Sequence, residues 1–106
     1  ACTAAAYAAA KFGPDPAPLV KINEKIDTLE LWYGPTSAFK DMALQLLPQL
    51  LSRALLKTGE DTKSVILVAT SGDTGKAALE GFAEVPNTEI IVFYPSQGVS
   101  PMQKSR

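Results

Sequence analysis

The sequence predicts an α/β fold: three layers, with a mostly parallel sheet and helices on both of its faces. Three observations carry this. SVILVAT (Ser64 to Thr70) is an unbroken apolar, β-branched run, the pattern of a strand covered on both faces. The loop SGDTG follows, then a helical stretch from about Lys76 to Val85, then a second such run, EIIVFY (Glu89 to Tyr94). Strand, loop, helix, strand is the βαβ unit of parallel sheets. Between Phe39 and Leu55, apolar residues recur at i, i+3, i+4 and i+7, the stripe of an amphipathic helix.

The elements follow in chain order. The start is Ala-rich and favours a helix, which Gly13, Pro14 and Pro16 end. Residues 1–16 therefore read as a helix and linker. They lack the basic region and strong apolar block of a signal peptide. APLVKI and DTLELWYG flank the turn NEK and predict two short strands, with Leu29, Leu31 and Tyr33 alternating with Glu30 and Trp32. After Gly34-Pro35-Thr36-Ser37, one long helix is expected from about Ala38 to Lys57. Its stripe, Phe39, Met42, Leu46 and Leu50, should pack on the sheet. Pro48 removes one backbone donor and should kink this helix without ending it. Gly59 is the expected C-terminal cap. Ser100-Pro101 has the form of an N-cap and first helical position of a further helix.

Composition sets limits on function. The chain has 106 residues, 46% hydrophobic and 20% charged, with a net charge of -1. That is ordinary for a globular domain, and gives no bulk electrostatic case for nucleic acid or an anionic membrane. No apolar run approaches the ~20 residues of a bilayer span. Cys2 is the only cysteine, so no intrachain disulfide forms and a reducing, cytoplasmic setting is expected. There is no histidine. A Ser-His-Asp or Cys-His mechanism within the chain is excluded, and no metal site is expected.

The chemistry is concentrated in two places. TSGDTG (Thr70 to Gly75) follows a predicted parallel strand, where the next helix offers free N–H groups to a ligand. Gly72 and Gly75 permit close approach, and Ser71 and Thr74 add hydroxyls. The glycines stand too close together for a P-loop, and Lys76 is followed by Ala77 where that motif needs Ser or Thr. A capped strand-to-helix turn fits the same letters. Asp73 would repel a phosphate, or could cap the helix itself. Lys40 is the other place. It falls at a helix start, where cations are disfavoured, beside Phe39. Burial and a positive helix end both favour loss of a lysine proton, and a neutral lysine captures aldehydes as a Schiff base. A solvated helix lysine is the plain alternative.

LELWYGPTSAFKDMALQ, ATSGDTGKAALEGF and FYPSQGVSPMQKS, in this order and spacing, resemble threonine synthases from Phe12 onward. The resemblance implies an enzyme of fold type II dependent on pyridoxal 5'-phosphate (PLP), with Lys40 as the catalytic lysine that attaches PLP. It implies cofactor contacts from Phe39, Lys40 and Asp73, the last beside the phenolic oxygen of the ring. Thr70, Ser71, Gly72, Thr74, Gly75, Ser100 and Lys104 are implied to meet the substrate, O-phosphohomoserine, with Ser96 a further lining candidate. The implied reaction yields threonine and phosphate. Tyr33 replaces the His common in the family before Gly-Pro-Thr, and Ser37 stands where an apolar residue is common. Family members are several times longer, and their glycine-rich loop for the PLP phosphate comes later. Residues 1–106 thus read as one fragment from the N-terminal half. It is expected to be inactive alone, to lack stable PLP, and to expose core surface through which it can self-associate. Threonine dehydratase or a cysteine-synthase relative is a rival, though those usually carry Asn in the loop. A noncatalytic α/β anion-binding or interaction module is the rival from another class.

Overall fold

A computed structural model describes residues 1–83, 85–98 and 101. The chain starts with two short helices, α1 (Cys2–Ala6) and α2 (Ala9–Phe12), and α2 ends at Gly13 with φ +80°. A hairpin follows, β1 (Leu19–Asn23) and β2 (Ile26–Leu29), antiparallel, with Leu19 opposite Leu29. Then come α3 (Asp41–Leu44), α4 (Leu47–Thr58), β3 (Ser64–Ala69), α5 (Asp73–Phe82) and β4 (Thr88–Phe93). β3 and β4 pair in parallel, Ser64 opposite Thr88 through Ala69 opposite Phe93, with α5 as the crossover. The class is α/β, as the sequence predicts, and the described strands form two two-stranded sheets.

The long helix is broken. α3 stops at Leu44, and α4 starts at Leu47 with Pro48 in its first turn. Proline tolerates that place because the N–H it lacks has no intrahelical acceptor there. The expectation that Pro48 kinks a continuous helix is therefore corrected: the proline opens a second one. Gly59 caps α4 in the left-handed conformation, φ +70°, as expected. α5 begins at Asp73, three residues earlier than the sequence suggests.

Packing centres on α5. Ala77, Ala78 and Phe82 of this helix are buried, with Ala6 and Phe12 from the N-terminal helices. Two glycines set how closely α5 is approached. A Cβ on Gly75 would lie 2.5 Å from Thr70 Cγ2 and 2.9 Å from Val92 Cγ1, so this glycine seats α5 on the sheet. A Cβ on Gly81 would lie 1.9 Å from the Leu44 carbonyl oxygen, so the same helix touches the end of α3 backbone to backbone. Because α5 occupies this face, α3 and α4 pack chiefly on α5 and α1 rather than on the sheet. The expected stripe is correspondingly divided: Met42 and Leu46 are half-buried, while Phe39 and Leu50 are 64% and 50% exposed.

The N-terminal helices are tied to α3. Tyr7 donates its hydroxyl to the Met42 carbonyl at 2.7 Å and meets Phe12 edge to face. Lys11 Nζ donates to Gln45 Oε1 at 2.7 Å. Gln45 is buried, and its Nε2 has no hydrogen-bond partner among the described residues.

β3 and β4 alternate between half-buried and exposed residues, so only the α5 face is covered. Burial on both faces, expected from the apolar run, is not met among the described residues. Val65, Leu67, Ile91 and Phe93 stand 47–67% exposed on the other face. The accessible surface is 7185 Å². Compact monomers of this mass expose about 5,700 Å² by area scaling. No helix among the described residues is long and apolar enough to cross a membrane.

Candidate functional site

The turn from Gly34 to Lys40 places the lysine. Ser37 N–H donates to Gly34 O at 3.0 Å, closing a tight turn, and Ser37 sits at φ +58°. A left-handed non-glycine residue costs ~1–2 kcal/mol. Asp41 offsets this. It is fully buried and accepts two bonds from Thr36, the backbone N–H at 2.8 Å on Oδ2 and the hydroxyl at 2.7 Å on Oδ1. Bonds to a charged group contribute ~1.5–3 kcal/mol each, enough to hold the strained turn. Gly34 is required beneath it, because a Cβ there would lie 2.5 Å from Asp41 Cβ.

Lys40 takes the N-cap position of α3 and is half-buried. α3 is a single turn, so it has little of the macrodipole a long helix would bring to Lys40. The amine meets a different helix end: Lys40 Nζ donates to Thr74 Oγ1, in the first turn of α5. It also lies 5.8 Å from the centroid of the Phe39 ring. Lys40, Phe39 and Thr74 line an open groove of about 550 Å³, whose other walls include Leu29, Leu31, Met42 and Leu44. A groove of this size with apolar walls and the Lys40 and Thr74 polar groups at its edge suits a small ligand.

The loop before α5 is arranged around Thr70 and Gly72. Gly72 N–H donates to Thr70 Oγ1 at 3.2 Å. The first bond of the helix runs from Lys76 N–H to Gly72 O, so the N–H groups of Asp73, Thr74 and Gly75 lie outside the helical ladder. Among the described residues no side-chain cap bond is made, and Gly72 takes the N-cap position, which removes the reading of Asp73 as an N-cap. Asp73 and Ser71 are exposed at this end.

The structure thus brings Phe39, Lys40 and Thr74 to one groove, with Thr70, Ser71, Gly72, Asp73 and Gly75 on the adjoining loop and helix start. Ser96 is exposed after β4. Ser100 and Lys104 lie outside the described residues. Sequence reasoning missed Thr36, Asp41 and Gly81. An acid directly after a helix-starting lysine, five residues beyond a threonine in a turn, was the available signal for the first two.

No family model matches the chain. It is 50% identical over 88 residues to a threonine synthase of Pseudomonas aeruginosa, a match that takes in 83% of this chain and 18% of that protein. The PLP-bound threonine synthase from Brucella melitensis superposes with a TM-score of 0.73 at 45% identity, over 82% of this chain and 18% of the other. Threonine synthase from yeast superposes with a TM-score of 0.82 at 34% identity, over 96% and 22%. Over the matched residues the chain is a homologue of threonine synthases, and it spans about a fifth of their length.

Proposed function

We propose that this chain is the lysine-bearing segment of a cytoplasmic, PLP-dependent threonine synthase that converts O-phosphohomoserine and water to threonine and phosphate. The observation that carries the reading is the Lys40 amine, held at the start of α5 over an apolar groove. The residues suit the cofactor: an amine for the aldehyde and a groove with apolar walls for the ring. PLP supplies an electron sink that lets protons leave carbons next to the substrate nitrogen.

The chain's own residues do the rest. Lys40 would hold the cofactor through its aldehyde, and its free amine would carry protons to and from the substrate carbons as general base and acid. Thr74 Oγ1 holds the amine in place between steps. With the cofactor bound, Phe39 would help to hold its ring and Asp73 would serve its phenolic-oxygen side. The N–H groups and hydroxyls from Thr70 to Gly75 bind one anionic end of the substrate, and Ser100 and Lys104 extend this lining. Residues 1–106 act as one unit, in which the single N-terminal helix expected within residues 1–16 is two short ones, α1 and α2, split at the extended Ala8. The open β3–β4 face packs against the remainder of the enzyme. In the isolated chain, which is expected to be inactive and to hold no stable PLP, the same face pairs with a second copy.

The test is a chimera in which this chain replaces the matching 88 residues of the Pseudomonas aeruginosa relative. It should release phosphate from O-phosphohomoserine. Lys40→Ala should abolish turnover, and so should Lys40→Arg, because a guanidinium stays protonated and does not attack aldehydes. Normal turnover by Lys40→Arg would refute the role.

A further inference from the structure

We propose that Thr36 and Asp41 form a clasp that fixes the direction of the Lys40 side chain, so that Asp41 is a positioning residue for the amine. Three observations converge on it. Asp41 is the fully buried carboxylate directly after Lys40, and both of its oxygens are used by a single residue, Thr36. The turn it closes contains Ser37 at φ +58° and would relax if released. Lys40 is the last residue of that turn, and its amine reaches across to another element, donating to Thr74 Oγ1 on α5. A side chain as long as lysine has many rotamers, and one contact at its tip selects a direction only when the backbone behind it is fixed. The clasp supplies that fixed backbone from within the same short segment.

The chemistry of the clasp makes it testable. An ionised Asp accepts both donors. An Asn in its place accepts one and turns its own NH₂ towards the other, so one of the two bonds is lost. A valine at position 36 keeps the backbone donor and the shape but loses the hydroxyl. A serine at position 36 keeps both donors.

This inference rests on the reading of Lys40 as the aldehyde-capturing lysine, but its test reads position and not reactivity. In this chain, the nuclear Overhauser contact between the Lys40 side chain and the Thr74 methyl should be present in the unsubstituted protein and in Thr36→Ser. It should be lost in Asp41→Asn and in Thr36→Val, with the β3–β4 amides still protected from hydrogen exchange. If Asp41→Asn loses that protection, Thr36→Val decides alone. Retention of the contact in folded Asp41→Asn and Thr36→Val would overturn the clasp. Failure of the Lys40 role shows elsewhere, as turnover by the Lys40→Arg chimera.

Discussion

Gly81→Ala probes the contact that joins the two halves of the candidate site. Thr74 and Gly81 lie on α5, while α3, which follows Lys40, ends at Leu44 against Gly81. An added Cβ would lie 1.9 Å from Leu44 O and 2.8 Å from Leu44 C. Real contacts of this kind begin near 3.0 Å, so the two elements must separate by about 1.1 Å. The obstacle is backbone and cannot rotate away. Overpacking of this sort costs ~1–3 kcal/mol, and a rigid obstacle puts it at the upper end. Alanine recovers ~1 kcal/mol in helix propensity over glycine. The net loss is about 2 kcal/mol. Urea unfolding should show a midpoint lower by roughly 1 M at an unchanged slope. Glu80→Ala, one residue away and exposed, should stay within ~0.5 kcal/mol of the parent. A Gly81→Ala midpoint at or above that of the parent would mean that only propensity acts there, and that α3 and α5 are not in backbone contact.

Gly59→Ala should cost ~1 kcal/mol in the same assay, because φ +70° is unfavourable with a Cβ, while Gly59→Asn should lose less. Tyr33 should ionise above its ordinary value of 10.0, chiefly because its hydroxyl donates to Glu30 at 2.8 Å, then through desolvation and the repulsion of its phenolate by Glu30 and Asp15. The folded value is raised, so this pair's stabilisation is complete below pH 10.0 and is lost as pH rises through the folded value. Tyrosinate absorbance should follow this titration, Glu30→Gln should lower it towards 10.0, and Tyr33→Phe should remove it.

Much of the fold was legible from letter patterns. The βαβ unit and the Gly59 cap were set by local signals, apolar runs and a glycine after a stripe, and the NEK turn placed the hairpin; the alternation from Leu29 to Tyr33 misled, because β2 ends at Leu29. The break at Gln45–Leu46 was less visible, because a periodic stripe runs through it and Pro48 allows both a kink and a new helix start. The one-sided burial of β3 and β4 was hidden as well. Their composition is that of strands covered twice, and the second cover is not among the described residues. Within the candidate site, Lys40 and Thr70 to Gly75 announced themselves by residue type. Their meeting depends on Gly75 and Gly81, whose role is to be small where two backbones or layers touch. Asp41 could pass for an acid favouring a helix start. Only its burial and its two bonds to Thr36 give it another task.

The most direct measurement of the Lys40 role is reductive trapping. The chain is mixed with PLP, reduced with borohydride and digested, and the modified lysine is located by mass spectrometry. Trapping captures an aldehyde bound only in passing, so it needs no stable complex. The pyridoxyl group should appear on Lys40 well ahead of Lys76, which lies on the same helix as Thr74 and is also half-buried. Label spread evenly over the lysines, or concentrated on Lys76 or Lys104, would contradict the assignment of Lys40 as the lysine that takes the cofactor.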